Sequence, residues 1–355
     1  MRTLIIEKQA IKNNITRIKE RAGKAAVYAA VSGDGGGVGA AELARLLREE
    51  GIGRFAVSEA AEAEALRKAG LVDEEILMLR STTRQETLEL LLDLNVVCTV
   101  GSVEAGLALN GVAEHRSTVA EAHLQLDIGL GGTGFLAGEP EKLLSLYHSL
   151  PNVAISGLYT QIHSGERRGI DPTPRIEQFH RAIEVIQAAG LETGMVHTSG
   201  SCALMEGLLT GVDGVRVGSA LLGRCRRRRG DGLLRVGYGQ VEVQETRWLP
   251  AGHTVGGAVL TTLKKPARAA VLPVGYQNGF GVSRSQETGL WAALRRWWYR
   301  RRVTVLVGDQ KAGLIGGIGA RETLVDVTGL KCSPGDLVCF DIDPQYAADF
   351  MRIYQ

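Results

Sequence analysis

Apolar positions over residues 7–21 recur every three to four residues, which predicts an amphipathic helix, Glu7–Arg21, after a short β-rich run, Thr3–Ile6. From about residue 25 to 220 the chain switches repeatedly between short apolar, β-rich runs and longer stretches with helical spacing. Eight candidate strands result: Ala26–Val31, Arg54–Val57, Ile76–Leu79, Val96–Val100, Ala122–Ile128, Val153–Thr160, Met195–Thr198 and Gly214–Val217. Helical patterns such as Ala40–Glu50, Ala60–Ala69, Arg84–Leu94 and Pro174–Ala189 lie between them. Repeated βα units in this number predict a (β/α)8 TIM-type barrel, with a doubly wound sheet as the competing arrangement. Beyond about residue 232 the segments shorten and alternate, separated by Gly and turn residues: Val241–Arg247, Thr254–Thr261, Ala269–Pro273, Val303–Val307, Thr323–Val327 and Asp336–Phe340. These predict an all-β domain. The expected division is therefore residues 1–24 as an opening strand and helix, 25–231 as the barrel and 232–355 as the C-terminal β domain. Any site belongs among the βα loops at the C-terminal ends of the barrel strands.

Composition agrees with this picture, since 355 residues at 45% hydrophobic and 23% charged have room for a large core. No run of about 20 apolar residues occurs, and Met1-Arg-Thr-Leu-Ile-Ile-Glu-Lys lacks the features of a signal peptide, so a cytoplasmic protein is expected. Cys98, Cys202, Cys225, Cys332 and Cys339 are scattered and lack metal-ligand spacing. They read as reduced thiols, and no metal is expected. The net charge of +2 does not by itself call for a polyanionic partner. Two local clusters, Arg224 to Arg229 and Arg295 to Arg302, the second interleaved with aromatics, have the composition of an RNA-binding or membrane-surface segment. A solvated helix burying Trp291, Leu294 and Trp298 on one face is the preferred reading of the second, and neither nucleic acid nor membrane is expected as a partner.

The chemistry-bearing segments are more specific. Residues Val31-Ser32-Gly-Asp-Gly-Gly36-Gly-Val-Gly39 resemble the cofactor loop of the alanine racemase family, Val-Lys-Ala/Gly-Asp-Ala/Gly-Tyr-Gly-His/Leu-Gly. That resemblance puts Ser32 where the family has the lysine that forms a Schiff base with pyridoxal phosphate (PLP), and Gly36 where it has Tyr. A hydroxyl cannot replace an amine in that role. Asp127-Ile-Gly-Leu-Gly-Gly132-Thr-Gly-Phe135 resembles the family's Asp-Thr-Gly-Met-Gly-Arg-Leu-Gly-Phe, with Gly132 for the arginine that reaches the cofactor's phenolic oxygen. Gln125 replaces the carbamylated lysine that orients that arginine. In Gly157-Leu-Tyr-Thr-Gln161, resembling Gly-Leu-Tyr-Thr-His, Gln161 replaces the imidazole, with His163 as a nearby candidate substitute. Ala320 and Arg321, in Gly317-Ile-Gly-Ala-Arg321, replace the Met and Asp that line the partner subunit's substrate pocket.

Other positions persist. His197-Thr-Ser-Gly-Ser201 resembles a loop whose Ser hydroxyl binds phosphate, and Val215-Arg216-Val-Gly218-Ser219 resembles Val-Arg-Pro-Gly-Ile. In the latter the arginine holds the pyridine nitrogen, and the residues at Gly218 and Ser219 offer amides to phosphate. Gly275-Tyr276-Gln-Asn-Gly279 resembles Gly-Tyr-Ala-Asp-Gly, whose Tyr is the second acid/base, acting from the neighbouring subunit. Arg352-Ile-Tyr354 resembles the end of the family, where Tyr contacts phosphate. Each also has a structural reading: Ser201 capping the next helix, Arg216 neutralising a carboxylate, Tyr276 packing at a dimer seam.

The resemblance spans nearly the whole chain, includes the domain order and places the opening strand with the C-terminal β domain. It implies PLP fold-type III, an isomerase-family relative and a homodimer. Two-base racemisation needs both Lys and Tyr, so the losses imply a non-racemising pseudoenzyme with a binding or scaffold role. The alternatives are an enzyme with altered chemistry or ligand in an enlarged pocket, and a heterodimer subunit lending Tyr276 to an active racemase. No covalently bound cofactor is expected; PLP or another phosphate-bearing ligand would be held non-covalently.

Overall fold

The computed structural model describes residues 1–129, 131–162, 171, 173–209, 211–225, 231–256, 260–282, 303–347 and 349–355. The chain divides into two compact units, Gln9–Arg235 on the one hand and Met1–Lys8 with Val236–Gln355 on the other.

The chain opens on β1 (Arg2–Ile6) and the helix Lys8–Ala22. Barrel strands follow as β2 (Ala26–Ala30), β3 (Arg54–Val57), β4 (Glu75–Met78), β5 (Cys98–Val100) and β6 (Ala120–Asp127). After the two-residue β7 (Phe135–Leu136) come β8 (Val153–Gln161), β9 (Met195–Ser199) and β10 (Gly214–Val217). The eight long strands are all parallel, in the order β4-β3-β2-β10-β9-β8-β6-β5. Hydrogen bonds from Met78 N–H to the Val97 carbonyl and from Val97 N–H to the Ile76 carbonyl, each 2.9 Å, join the ends of that order. The strands thus form a ring, which excludes the doubly wound sheet.

Short apolar strands form because both faces are covered: Phe55, Ala56 and Val57 are fully buried, as are Ile76 and Leu77. The helix Lys8–Ala22 buries Ile11, Asn14, Ile15 and Ile18 on one stripe. Asn14 replaces a hydrophobe there, because its amide donates to the carbonyls of Leu221 (2.9 Å) and Leu234 (2.7 Å) and its oxygen accepts the Leu234 N–H (2.7 Å).

The other unit is a nine-stranded sheet containing β11 (Tyr238–Glu242), β12 (Glu245–Leu249), β15 (Ala267–Leu272), β16 (Thr304–Val307), β17 (Gln310–Ile315), β18 (Thr323–Asp326), β19 (Leu337–Asp341) and β20 (Met351–Tyr354), together with β1. Two expected strands differ. Val241–Arg247 is interrupted after Glu242, where the chain leaves β19 and pairs with β15 instead. Thr254–Thr261 is a small hairpin of β13 (Thr254–Val255) and β14 (Thr261–Thr262), not one strand. β1 lies between β11, antiparallel, and β20, parallel. No helix among the described residues is long and apolar enough to cross a membrane.

Candidate ligand cavity of the barrel

Inward-facing positions of β2, β6, β8, β9 and β10 carry Tyr28, His123, Tyr159, His197 and Arg216, all 3% exposed or less. Barrel interiors are ordinarily filled by branched hydrophobes, so this polar column requires internal partners. It has them in series. Arg216 Nη1 lies 2.9 Å from His197 Nδ1, and His197 Nε2 lies 2.8 Å from His123 Nδ1. Since a guanidinium only donates, His197 accepts at Nδ1, donates from Nε2 and is held as one neutral tautomer. Burial, reinforced by the Arg216 charge, pushes the His123 pKa down to about 3 and holds His197 well below the ordinary value. Tyr28 stacks on His197 at 4.9 Å, and its hydroxyl bonds to Glu75. Gly157 leaves the space that the His123 ring fills, since a Cβ there would stand 2.5 Å from the imidazole.

Arg216 rests on the Tyr159 ring at 4.2 Å and donates from Nη2 to the Thr160 carbonyl at 3.2 Å. Its Nε has no hydrogen-bond partner. Burial lowers its pKa to about 10, and the groups that oppose this are the phenols of Tyr159 and Tyr28, not a carboxylate. The reading of Arg216 as a carboxylate's counter-ion therefore gives way to a buried cation stacked on a phenol and hydrogen-bonded to a neutral histidine.

Arg216 lines a cavity of about 280 Å³ together with Ala30, Leu79, Gln125, Tyr159, Gln161, Ile162, Ser199, Gly200, Ser201, Cys202, Gly218 and Ser219. No carboxylate and no lysine is among these lining residues. Gln125 accepts from the Thr133 hydroxyl at 3.0 Å, and Gln161 is exposed. Ser201 does not cap its following helix. Its hydroxyl accepts the N–H groups of Gly218 (3.1 Å) and Ala220 (3.2 Å), tying the turn after β10 to the start of the helix Ser201–Met205. Gly218, one of the two expected amide donors, is thus engaged by Ser201.

Ser32 follows β2 and its hydroxyl meets that of Ser58 at 2.9 Å. It begins a left-handed turn in which Gly33, Asp34 and Gly35 have φ of 64°, 54° and 66°. Glu62 accepts the Gly33 N–H at 2.7 Å, and Asp34 accepts the Ala40 N–H at 2.9 Å. A Cβ on Gly36 would lie 2.9 Å from Leu222, whereas one on Gly132 would meet open space.

In the β unit, Tyr276 is 50% exposed at the start of the turn Tyr276–Asn278. Its N–H bonds to Gly319, Gln277 N–H to Ala320, and Arg321 Nε to the Gln277 side chain (3.0 Å), so the expected Tyr276, Ala320 and Arg321 are brought together. Asn278 fixes the turn by accepting the Gly275 N–H and donating to Asp349. Tyr354 ends β20 and is partly buried. His163, Arg226 to Arg229 and Arg295 to Arg302 lie outside the described residues. Sequence reading left His123 unassigned, and its sole sequence signal is a polar residue at an inward strand position.

Comparison with known proteins is consistent along the whole chain. Residues 6–225 match the alanine racemase N-terminal domain and residues 238–348 the alanine racemase C-terminal domain. An alanine racemase of Methanococcus maripaludis is 27% identical over 346 residues, covering 94% of this chain and 87% of its own. One from Carboxydothermus hydrogenoformans is 29% identical over 332 residues, covering 92% and 85%. Among solved structures, alanine racemase of Clostridium difficile 630 superposes with a TM-score of 0.83 at 20% identity, covering 100% of this chain and 95% of that one. The Bartonella henselae alanine racemase, solved with covalently bound pyridoxal phosphate, has a TM-score of 0.82 at 20% identity, covering 100% and 99%.

Proposed function

This chain belongs to the alanine racemase family, and from that premise we propose that it is a non-racemising member that binds a phosphate-bearing ligand non-covalently. The observation that carries the reading is Ser32. Just after β2, where the family resemblance requires an amine, stands a hydroxyl engaged by Ser58, and no lysine is among the described residues that line the nearby cavity.

The residues present fit PLP at two of its three contact regions. Arg216 offers an unpartnered, buried Nε toward a ring acceptor, and the Ser219 region with Ser201 offers polar groups to a phosphate. At the aldehyde region nothing fits. PLP, when bound, supplies an electron sink for carbanion chemistry. Arg216 orients a ring or acid group, and no base stands at Ser32 to exchange a proton with a substrate carbon. The same groups suit other small phosphate-bearing molecules, and the cavity's volume of about 280 Å³ lies just below the roughly 300–1,000 Å³ common for ligand sites.

The test is PLP titration followed by borohydride reduction, intact mass and an assay for exchange between alanine enantiomers. Reversible binding with unchanged mass and no exchange is expected. A covalent PLP mass gain, or racemisation, would overturn the reading.

A second reading is favoured by the half-exposed Tyr276, pinned beside Arg321. In it the chain pairs with a lysine-bearing racemase and lends it Tyr276. Co-expression with such a partner should then give a heterodimer whose activity falls with Tyr276→Phe; a homodimer alone rules this out.

A further inference from the structure

We propose that His123 is a positioning residue for the barrel cavity: by accepting a hydrogen bond from His197 it fixes how His197 faces Arg216, and so the direction in which Arg216 presents its free donors. The inference rests on the reading of Arg216 as a ligand-binding group.

The backbone is shaped to place this histidine. Along β6 and β8 the pairing runs Ala120 with Val153, Glu121 with Ala154 and Ala122 with Ile155, then slips by one, so that His123 lies opposite Gly157. The slip leaves Ser156 as the extra residue of β8, and its buried hydroxyl finds no hydrogen-bond partner among the described residues. Without the slip His123 would stand opposite Ser156; with it, the imidazole takes the volume that a side chain on Gly157 would fill. His123 thereby reaches past β8 to His197 of β9, although β6 and β9 are not neighbours in the sheet. A slipped ladder, a glycine and a polar group only 2% exposed all depart from the branched hydrophobe that fills a barrel interior most simply. The contact with His197 accounts for all three.

Packing alone leaves His197 undetermined. The rings of Tyr28 (4.9 Å, 19°) and Tyr159 (5.0 Å, 32°) hold the plane of its imidazole. They do not set the order of the nitrogens, because an imidazole turned over in its plane has nearly the same shape. Polar contacts set it. Arg216 only donates, so it requires a bare Nδ1, 2.9 Å away; the His197 proton is then on Nε2 and requires a buried acceptor, which is His123 Nδ1 at 2.8 Å. Without that acceptor the Nε2 proton is stranded, and moving it to Nδ1 sets donor against donor at Arg216. The guanidinium then keeps the Thr160 carbonyl and the Tyr159 ring but loses the contact that fixes its rotation.

The test pairs two variants of nearly equal size. His123→Asn keeps an acceptor oxygen close to the place of Nδ1, and His123→Leu removes it. Nitrogen-15 spectra of ligand-free protein labelled at histidine and arginine read the ring nitrogens and the Arg216 Nε–H, and absorbance titration with PLP reads the cavity. In the unaltered chain we expect a bare Nδ1 and a protonated Nε2 on His197, with the same pattern in His123→Asn. In His123→Leu we expect a changed His197 pattern, a displaced Arg216 Nε–H signal and PLP bound about tenfold more weakly. A protonated Nδ1 on His197 in the unaltered chain would overturn the proposal, and that outcome needs no variant to fold. So would a His123→Leu protein that keeps the original signals and affinity, or equal losses in both variants, which mark a role in packing only. Failure of PLP to bind the unaltered chain would sink the phosphate-ligand reading instead, and the nitrogen signals would still decide the role of His123.

Discussion

Arg216 is a cation with neutral neighbours, and its surroundings make the protein sensitive to acid. An unfolded histidine titrates near 6.5, whereas His123 is held at about 3 and His197 well below its ordinary value. Below 6.5 the unfolded chain therefore takes up protons that the folded chain refuses. The stability contributed by the neutral pair is complete above that pH and is lost as pH falls toward 3, at no more than about 1.4 kcal/mol per pH unit for each histidine. Urea midpoints measured between pH 7.5 and 5 should fall, and His123→Gln should flatten the dependence; an unchanged slope would assign it to carboxylates. Gly157 supplies the complementary steric test. An alanine Cβ there meets the His123 ring at 2.5 Å, so Gly157→Ala should cost about 1–3 kcal/mol in thermal or chemical unfolding. Adding His123→Ala should recover part of that loss, which a purely backbone effect would not allow. At Ser32, restoring the amine by Ser32→Lys should create a borohydride-reducible PLP linkage with racemisation still weak, because Gly132 and Gln161 remain. Intact mass and the exchange assay read the two separately.

At the scale of elements, the loop after β2 is held by its geometry as much as by its contacts. Gly33 and Gly35 share a left-handed conformation, but a Cβ on Gly33 meets nothing within 4 Å while one on Gly35 meets the Ala40 backbone at 3.2 Å. Gly33→Ala should therefore cost only the left-handed penalty of about 1–2 kcal/mol, and Gly35→Ala measurably more, by comparison of unfolding midpoints. Strands such as β3 and β4 were legible in sequence because burial on both faces demands an apolar run, here Phe55–Val57 and Ile76–Met78. The helix Val103–His115 was not, because its Leu107 and Val103 are exposed while Gly106 is buried, which blurs the helical stripe. Of the site, Ser201 and Arg216 were visible through motif frames. The relay through His123 was not, since it joins strands that only barrel closure brings together.

The whole molecule is two units that share one continuous chain in an uneven way, because the first strand, β1, sits inside the sheet formed by the last hundred or so residues. Among the described residues β20 pairs with β1 alone, at Thr3 with Met351 through Ile6 with Tyr354. Deleting residues 1–7 should thus release β20 and expose the edge of β11 to rapid amide exchange and proteolysis, while amides of β3 and β4 stay protected; uniform loss of protection would show instead that the two units unfold as one. The same pairing sets an order of events during synthesis. A ribosome emits the N-terminus first, and the barrel strands have all emerged by Val217. The amino-terminal strand must nevertheless wait, unpaired on its β20 edge, until Met351–Tyr354 leaves the exit tunnel. The growing chain therefore carries the barrel strands ahead of the segment that completes the sheet around β1, so the second unit closes after the barrel strands have emerged.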